Sequence, residues 1–453
     1  MEERRYPEGQ GPSQEEMRRS NLEIVTGVTC PFCGCLCDDL EVVIEGGRIT
    51  NVKNGCAYSL AKYLNYQRER LLKPMVREGE ELVAVSLEEA VERAAQILVD
   101  SIYPVLYGWS STSSEAQRLG IELAEEVRGA IDNTSSVCHG PTVEALQELG
   151  HPGCTLGQVR NRADLIIYWG SNPLQSHLRH MSRYTIGAVG RWRRGREDRT
   201  LIVVDVRKTY TARVADYFIQ VEPNKDFELL TALRMALMYE EIEQERVAGV
   251  PVEAIEEVAE ILRGCEFGAL FYGLGLTMSS GKNRNIDAAI SLVRDLNRWT
   301  KFVMIPMRGH FNVAGANIVF LWQTGYPFAV DFSHGYPRYN PGVTSVIDIL
   351  SRRESDASLI VASDPVANFP RRAVESLLEN PLIVIDPHRT ATAERADVVI
   401  PSALVGIECK GTAYRMDGVP LKMKKVVDPP PGCLSDEEIL HRILEEVRRL
   451  RGE

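Results

Sequence analysis

The amino-acid sequence predicts an α/β protein in which a small β-rich unit precedes larger domains built on parallel sheets. After residue 80, short apolar runs rich in β-branched residues alternate with helical stretches, as in sheets covered by helices on both faces. Residues 22–62 instead contain a hairpin pattern, and one strand–turn–strand module occurs twice. The 453 residues are enough for about two to four domains.

The composition narrows the class of protein. A formal net charge of −11 argues against broad nucleic-acid binding, and no apolar run approaches the roughly 20 residues that cross a bilayer. Residues 1–21 are charged and lack the apolar core of a secretory signal, so we interpret them as a flexible tail or a docking arm. Ten cysteines without an export signal predict a reducing compartment, the cytoplasm, where clustered cysteines usually hold metal.

The β-rich unit combines the cysteine-rich loop TCPFCGCLC with a hairpin. Gly46 and Gly47 supply the turn between the runs LEVVI and RITNV. The residue before the first strand of a hairpin lies near the residue after the second strand. Since Cys37 precedes the first strand, we expect Cys56 to return to the cysteine-rich loop.

The spacing of Cys30, Cys33, Cys37 and Cys56 is C-x2-C-x3-C-x18-C. Short spacings on a tight loop plus one distant cysteine are typical of a [4Fe–4S] cluster. Structural zinc is the alternative, although its first C-x2-C pair would need a second pair downstream. A [2Fe–2S] centre or a redox disulfide is less favoured. Cys35 could replace a neighbour as ligand or be a spare, and the spacing ranks it last without excluding it.

The α/β region shows clear strand and helix signals. Ser86 and Glu89 form a capping box before the helical run LEEAVERAAQILVD. The strand candidates are YPVLYGW, DLIIYWG, TLIVVDV, GALFYGLG, KFVMIP, SLIVASD and PLIVID. Their apolar residues face both sides, which predicts strands buried in a parallel sheet.

An internal repeat is the strongest sign of organisation. VVDVRKTYTARVADYFI (203–219) aligns with VIDPHRTATAERADVVI (384–400), and ADLIIYWGSNP (163–173) resembles ASLIVASDP (357–365). Open α/β sheets bind ligands at the carboxyl ends of their strands, so this duplicated module suggests two nucleotide-like ligands. The alternative interpretation is that the duplication is purely architectural.

Three further stretches contain candidate functional side chains. In SSVCHGPT, Cys138 and His139 place a thiol beside an imidazole in a polar turn, which suits a soft metal and proton transfer, although either residue alone is more often ordinary. In IPMRGHFNVAGAN, Arg308 offers a forked cation for a carboxylate-sized ligand or forms a structural salt bridge. Gly273 and Gly275 would allow close approach of phosphate, but G-x-G alone is weak support.

Together these stretches resemble the molybdopterin oxidoreductases of the dimethyl sulfoxide reductase superfamily. CDDLEVVIEGGRITNVKNGC and VCHG carry a narrower resemblance to the catalytic B subunit of formylmethanofuran dehydrogenase, and the resemblance covers nearly all of residues 22–430. It implies a small N-terminal iron–sulfur domain, α/β domains of the molybdopterin oxidoreductase type, and one W or Mo atom held by two pterin guanine dinucleotides. The sequence does not distinguish the two metals.

The resemblance also implies a role for each candidate residue. Cys138 falls at the position of the protein ligand to the metal, and His139 and Arg308 fall at the active-site histidine and arginine. The four spaced cysteines fall on the ligands of a [4Fe–4S] cluster. The residues implied to contact the dinucleotides are Asn172 and Asp205 for one, Asp364 and Asp386 for the other, and Thr209, Thr390, Gly273 and Gly275 near phosphate or ribose.

Two features depart from the family pattern. Many relatives carry a lysine just after the last cluster cysteine, whereas here Lys62 follows Cys56 by six positions. Longer relatives continue into a β-barrel over the pterins, whereas this sequence ends in an amphipathic helix, so we expect the barrel on a separate subunit. The domain prediction is a tail (1–21), an iron–sulfur domain (22–75), an α/β domain with active-site loops (76–140 and 300–355), a first dinucleotide-binding domain (141–299), and a second dinucleotide-binding module with the C-terminal helix (356–453).

The implied function is the two-electron reduction of CO2 to formate at the W or Mo centre, with low-potential electrons supplied through the cluster. The implied partners are the pterin-covering β-barrel subunit, an amidohydrolase-like zinc subunit that condenses formate with methanofuran, and polyferredoxin-like subunits. Two alternatives stay open: the catalytic subunit of a formate dehydrogenase, and a non-catalytic scaffold paralogue of a formyl-transfer complex.

Overall fold

The computed structural model describes residues 22–452, which form one three-stranded sheet, two larger sheets and two two-stranded ribbons. The predicted tail, residues 1–21, lies outside the described residues. Within the described range, none of the sheets is closed into a barrel. No helix there combines the length and the apolar character that a bilayer crossing requires.

The N-terminal sheet confirms the predicted hairpin. Its antiparallel strands are Leu22–Val28, Leu40–Glu45 and Arg48–Lys53, in that order. Gly46 and Gly47 have φ angles of 57° and 79°, and a two-residue hairpin turn with both φ angles positive strongly favours glycine. Helix Ala57–Leu64 follows, with Cys56 as its N-cap.

The first of the larger sheets has five parallel strands. Their spatial order is Tyr217–Gln220, Thr200–Asp205, Leu165–Trp169, Phe267–Tyr272 and Lys301–Pro306. The chain runs outward from the central strand to one edge and then returns to continue toward the other edge. The crevice at such a switch point, at the carboxyl ends of the strands, is where open α/β sheets bind ligands.

The second large sheet has nine strands. Its parallel centre contains, in order, Ala130–Asn133, Pro104–Gly108, Ala357–Val361, Leu382–Ile385 and Val398–Ile400. Antiparallel strands flank this centre, Val330–Asp331 and Arg338–Tyr339 at one edge and Met75–Glu78 and Glu81–Ala84 at the other. A second switch point lies between Pro104–Gly108 and Ala357–Val361.

The sheets group the chain differently from the predicted domain segments. Strand Lys301–Pro306 pairs within the five-stranded sheet, although it was expected beside residues 76–140. Strand Ala357–Val361 pairs directly with Pro104–Gly108, so the second copy of the repeated module shares a sheet with the segment that leads to Cys138. The ribbons pair Arg246–Val247 with Val250–Pro251 and Gly411–Tyr414 with Pro420–Met423.

Helices cover both large sheets. Between residues 22 and 452 the α-helices are Ala57–Leu64, Leu87–Asp100, Ser114–Glu126, Gly140–Leu149, Leu156–Arg162, Pro173–Ser176, His180–Tyr184, Asp226–Leu237, Val252–Gly264, Leu274–Thr277, Asn283–Leu296, Val313–Thr324, Val346–Arg352, Pro365–Asn368, Arg371–Glu379, Ala391–Arg395 and Asp436–Arg451. Short 3-10 turns occupy Thr134–Val137, Arg196–Asp198 and Ala212–Val214. Of the capping box predicted before Leu87–Asp100, one half is formed: Ser86 accepts from the Glu89 N–H over 3.1 Å.

Candidate active site

The duplicated module has the same hydrogen bonds in both copies. Thr211 Oγ1 donates to Asn172 Oδ1 over 2.7 Å, and Thr392 Oγ1 donates to Asp364 Oδ1 over 2.6 Å. The backbone N–H groups of both threonines donate to the same two oxygens. The repeat in the sequence is therefore a repeat in the structure.

These hydrogen bonds give four predicted ligand residues an architectural role. The side-chain oxygen of Asn172 holds the first copy of the module together, and one carboxylate oxygen of Asp364 does the same in the second copy. Thr209 Oγ1 and Thr390 Oγ1 each accept from the backbone N–H three residues further on, so they cap the next turn. Architecture alone accounts for these contacts, and ligand binding by the four residues stays a prediction.

A cavity of about 910 Å³ lies at the carboxyl end of the nine-stranded sheet. Asp364, Asp386 and Thr390 of the second module line it together with Pro31 and Phe32 of the cysteine-rich loop. Pockets for cofactors and drug-sized ligands fall in this range of volume. The three second-module residues are therefore placed where a large ligand would contact them.

Asp386 is nearly buried in the wall of this cavity. Burial raises its pKa to about 7, repulsion from Asp436 and Asp364 adds to the effect, and the hydrogen bond from the His388 N–H to Oδ1, 2.8 Å long, opposes it. A buried carboxyl whose charge is so poorly compensated gains from a ligand that donates hydrogen bonds, such as a ribose hydroxyl or a guanine edge.

The first-module residues lie at the carboxyl end of the five-stranded sheet and are not among those that line this cavity. Asp205 is half-buried, which raises its pKa, and its Oδ1 accepts from the Arg207 N–H. A Cβ on Gly273 would lie 2.6 Å from the carbonyl oxygen of Gly170, and one on Gly275 would lie 2.6 Å from the Gly170 Cα. Close packing of two strand-end loops thus accounts for both glycines, and phosphate contact stays a prediction.

Five cysteines line a second, small cavity beside the hairpin: Cys30, Cys33, Cys35, Cys37 and Cys56. The return of Cys56 to the cysteine-rich loop is as the hairpin predicted. Burial raises the pKa of Cys30 well above its ordinary value, and repulsion from Cys33, Cys37 and Cys56 adds to it. So many mutually repelling thiolates in one buried place are unfavourable unless a cationic group binds them.

Cys33 and Cys35 lie close enough to influence each other's ionisation. The side chain of Cys35 lowers the pKa of Cys33, whereas the side chain of Cys33 and burial raise the pKa of Cys35. The role of Cys35 stays as the spacing left it, last among the possible metal ligands but not excluded.

Two arginines bring positive charge to the same loop. Arg179 pairs with both oxygens of Asp39, at 2.6 and 2.7 Å, and Arg183 pairs with Asp38 and Asp39. Burial raises the pKa of Cys37 to about 12, and both guanidinium groups oppose that rise. The two arginines therefore reduce, without cancelling, the cost that burial imposes on a negative charge at the Cys37 sulfur.

Cys138 lies where the two large sheets meet. It ends the 3-10 turn Thr134–Val137, which follows strand Ala130–Asn133 of the nine-stranded sheet. Its carbonyl oxygen accepts from Thr277 Oγ1 over 2.9 Å, and Thr277 lies in the turn after strand Phe267–Tyr272 of the five-stranded sheet. Its Sγ is held by a hydrogen bond to the Thr134 carbonyl oxygen, 3.0 Å away.

His139 is a buried, neutral imidazole next to this thiol. Its Nδ1 lies 3.1 Å from Thr142 Oγ1, and its Nε2 has no hydrogen-bond partner in the described part of the chain. Burial and the charge of Arg308 lower its pKa to about 3. A buried ring nitrogen without a partner is the kind of atom that a bound ligand satisfies.

The guanidinium of Arg308 is buried beside both residues. Burial raises the pKa of Cys138, and the charge of Arg308 opposes that rise and contributes to the low pKa of His139. Nη1 donates to Asn317 Oδ1 over 2.7 Å. The sequence left a ligand-binding cation and a structural salt bridge as alternatives, and no carboxylate within residues 22–452 acts on this guanidinium.

The sequence of the chain is similar to those of known molybdopterin enzymes. A family model described as molybdopterin oxidoreductase matches residues 70–446. The B subunit of the tungsten-containing formylmethanofuran dehydrogenase 2 of Methanocaldococcus jannaschii is 51% identical over 433 residues, which cover 95% of this chain and 100% of the relative. The chain belongs to the molybdopterin oxidoreductase family. Within it, the chain groups with the B subunits of formylmethanofuran dehydrogenases and is an oxidoreductase subunit of the molybdopterin type.

Two solved structures resemble the fold of this family member. One is a chain of the formyltransferase/hydrolase complex of Methylorubrum extorquens in complex with methylofuran, with a TM-score of 0.69, 22% identity, and coverage of 84% of this chain and 100% of that chain. The other is acetylene hydratase of Pelobacter acetylenicus, with a TM-score of 0.72, 15% identity, and coverage of 93% and 69%. At these identities the likeness shows the fold alone, and the predicted α/β class is confirmed.

The residues of this molybdopterin oxidoreductase fit the groups that its sequence predicts. The thiol of Cys138 and the unpartnered Nε2 of His139 suit a soft metal. The large cavity, whose lining includes neither residue, has the size for a dinucleotide. No three His, Cys, Asp or Glu residues between 22 and 452 are grouped as the ligands of a single ion would be. A cubane holds its four thiolates farther apart than one zinc ion does, so the cysteine-lined cavity fits a cluster better than zinc.

Lys62, whose role the sequence left open, lines the large cavity. Its Nζ lies 4.9 Å from the ring centroid of Tyr58 and 5.5 Å from that of Phe32. Phe32 lines both the large cavity and the cysteine-lined cavity. The charged side chain of Lys62 therefore lies between the large cavity and the cysteine-lined cavity. Lys62 is further from the last cluster cysteine along the chain than the lysine of many relatives.

Sequence reasoning missed three residues of the site. His177 Nε2 lies 2.8 Å from the Arg308 carbonyl oxygen, Asn317 holds the Arg308 side chain, and Thr277 contacts Cys138. No motif marks these residues. Asn317 lies in the stretch that was singled out for Arg308, and its position as a buried polar residue within the largely apolar helix Val313–Thr324 is the only signal that could have drawn attention to it.

Proposed function

We propose that this chain is the catalytic subunit of a formylmethanofuran dehydrogenase and reduces CO2 to formate. The observation that carries the proposal is the meeting of the Cys138 thiol, the neutral imidazole of His139 and the buried charge of Arg308 at the junction of the two sheets. A soft metal ligand, a proton carrier and an anion-binding fork are the groups that this reaction requires.

The chain's own residues have defined tasks in this proposal. When bound, W or Mo chelated by two pterin guanine dinucleotides would supply two-electron redox chemistry next to Cys138. Arg308 holds the oxygens of CO2 or formate by charge, and its burial strengthens that attraction because little water screens it. His139 takes up a proton at Nε2 when formate is oxidised and returns it when CO2 is reduced. Because its pKa of about 3 favours the neutral ring, it holds that proton only in passing. CO2, two electrons and one proton thus give formate.

The cysteine-lined cavity supports a path for the electrons. Cys30, Cys33, Cys37 and Cys56 would hold a [4Fe–4S] cluster, and Cys35 lines the same cavity. Lys62 lies between this site and the cavity proposed for one dinucleotide, which Asp364, Asp386 and Thr390 would contact. The second dinucleotide would lie along Asn172, Asp205, Thr209, Gly273 and Gly275.

The proposed partners are other subunits of the same complex. The Methanocaldococcus relative is named as one subunit of a dehydrogenase, and the Methylorubrum structure is described as a complex. We propose a separate β-barrel subunit over the pterins, an amidohydrolase-like zinc subunit that condenses formate with methanofuran, and ferredoxin-like electron donors in the cytoplasm.

Purification of the chain with its bound subunits tests the proposal. We expect W or Mo and iron by elemental analysis, a pterin released on oxidation, and formate oxidation with a viologen dye. Formate oxidation without an amidohydrolase-like partner would instead indicate a formate dehydrogenase. A complex without W, Mo or pterin would indicate a scaffold and contradict the proposal.

A further inference from the structure

Arg308 differs from the other buried arginines in how its guanidinium is held. Arg199 also lacks a carboxylate partner within residues 22–452, but its three guanidinium nitrogens donate to four backbone carbonyl oxygens. Arg70, also buried, pairs with Glu408 at 2.7 Å, and Arg415 pairs with Asp417 at 2.7 Å. Arg308 is 6% exposed, yet its side-chain partners in the described residues are neutral: Asn317 Oδ1 at 2.7 Å and Ser135 Oγ at 3.5 Å, both contacted by Nη1. Its positive charge is therefore not cancelled by a carboxylate.

The amide of Asn317 is fixed in one orientation. Its Nδ2 donates to the Pro327 carbonyl oxygen and to Ser135 Oγ, both 2.9 Å away. With the amino group committed to these acceptors, only Oδ1 can face the guanidinium. Ser135 also belongs to the turn that ends at Cys138, so Asn317 ties Arg308 to the thiol-bearing turn.

We propose that Asn317 is a positioning residue that holds Arg308 without neutralising it and so makes the site beside Cys138 selective for small planar monoanions of the carboxylate type. The inference rests on the proposed function, whose substrate it deepens. The remaining donors of the guanidinium then meet the anion in a fixed fork, which a lysine could not reproduce.

An amide at position 317 affects Arg308 differently from a carboxylate. An aspartate at this position has the same shape, and its carboxylate would lie against Nη1 in a buried site, where an ion pair is strong. The guanidinium and the carboxylate together would then present no net charge to an incoming anion. An amide accepts the same hydrogen bond and leaves the charge available.

The test compares Asn317→Asp with the wild type in the purified complex. We expect the KM for formate to rise by about tenfold or more, while kcat changes little, because loss of one charge interaction of this kind is worth about 1.4 kcal/mol or more. Metal and iron contents should match the wild type. Asn380→Asp is the control, since Asn380 also bonds backbone carbonyls but lies far along the chain.

A second readout separates this inference from the proposed function. Binding of nitrate, a planar monoanion, to the oxidised complex is measured by calorimetry without turnover. Nitrate binding that weakens by a similar factor in Asn317→Asp supports the inference even if the wild type fails to oxidise formate, in which case the proposed function alone fails. Unchanged KM and nitrate affinity in Asn317→Asp, or equal losses in Asn380→Asp, would overturn it.

Discussion

Gly34 in the cysteine-rich loop lies against the carbonyl oxygen of Arg308, where an added Cβ would be only 2.3 Å from that oxygen. The Gly34 N–H also donates to the carbonyl oxygen of Gly309 over 3.2 Å. The loop that gathers the thiols therefore rests directly on the backbone that carries the buried guanidinium. This contact fixes the spacing between the proposed cluster and the proposed substrate arginine.

Gly34→Ala should disturb both sites at once. The methyl group cannot fit against the Arg308 carbonyl oxygen, so the loop must shift, and we expect a loss of about 2 kcal/mol or more in the free energy of unfolding. Iron content should fall as well. Gly264→Ala is the matched control, because a Cβ there would meet nothing within 4 Å. Equal stability and iron content in the two variants would contradict the predicted contact.

The cysteine assignment predicts different effects within one loop. Cys30→Ser and Cys56→Ser should lose the cluster, whereas Cys35→Ser should keep its iron content because Cys35 is not one of the four cysteines proposed as ligands. Iron analysis and electron paramagnetic resonance of the reduced protein measure both. Retention of the cluster in Cys33→Ser together with its loss in Cys35→Ser would exchange the roles of these two residues.

Asp386 should make the stability of the cofactor-free chain depend on pH. Burial raises its folded-state pKa to about 7, above the value of about 3.9 for an unfolded aspartate. The stability that this group contributes is then complete below the unfolded pKa and is lost as the pH rises through the folded pKa. We expect a fall on the order of 1–4 kcal/mol between about pH 4 and pH 7.

Asp386→Asn should remove that pH dependence, since an amide does not ionise and its oxygen can still accept from His388. Asp205→Asn at the equivalent position of the first module is the control and should remove less, because Asp205 is only half-buried. Urea unfolding at about pH 5 and pH 8 measures the difference. Equal pH slopes in the wild type and Asp386→Asn would show that the carboxyl is not buried as described.

The fold could be predicted where the signal is local. Gly46 and Gly47 specify their turn, and the doubly apolar runs specify parallel strands, because both depend on residues close in sequence. The grouping of strands into sheets was harder. Strand Lys301–Pro306 pairs with Phe267–Tyr272 rather than with the segment before Cys138, and nothing in an apolar run identifies its neighbour.

The residues of the candidate site also divide into those that the local sequence marks and those that only long-range contacts bring in. The cysteines, His139 and Arg308 stand in recognisable stretches. Asn317, His177 and Thr277 reach the site through contacts between residues 182, 131 and 139 positions apart, so only the folded chain brings them there. Asp364 and Asp386 of the repeated module line a large cavity, and their contact with a dinucleotide stays a prediction. The repeat gave no sign that Asn172 and Asp364 also hold their own modules together.

The most direct test of the account is the sulfur coordination of the metal. X-ray absorption at the W or Mo edge of the purified complex should show one sulfur neighbour fewer in Cys138→Ala than in the wild type, with formate oxidation lost and iron content unchanged. Cys265→Ala, which alters a thiol at the end of helix Val252–Gly264, should match the wild type. An unchanged sulfur count in Cys138→Ala, with activity retained, would contradict the assignment of Cys138 as the metal ligand.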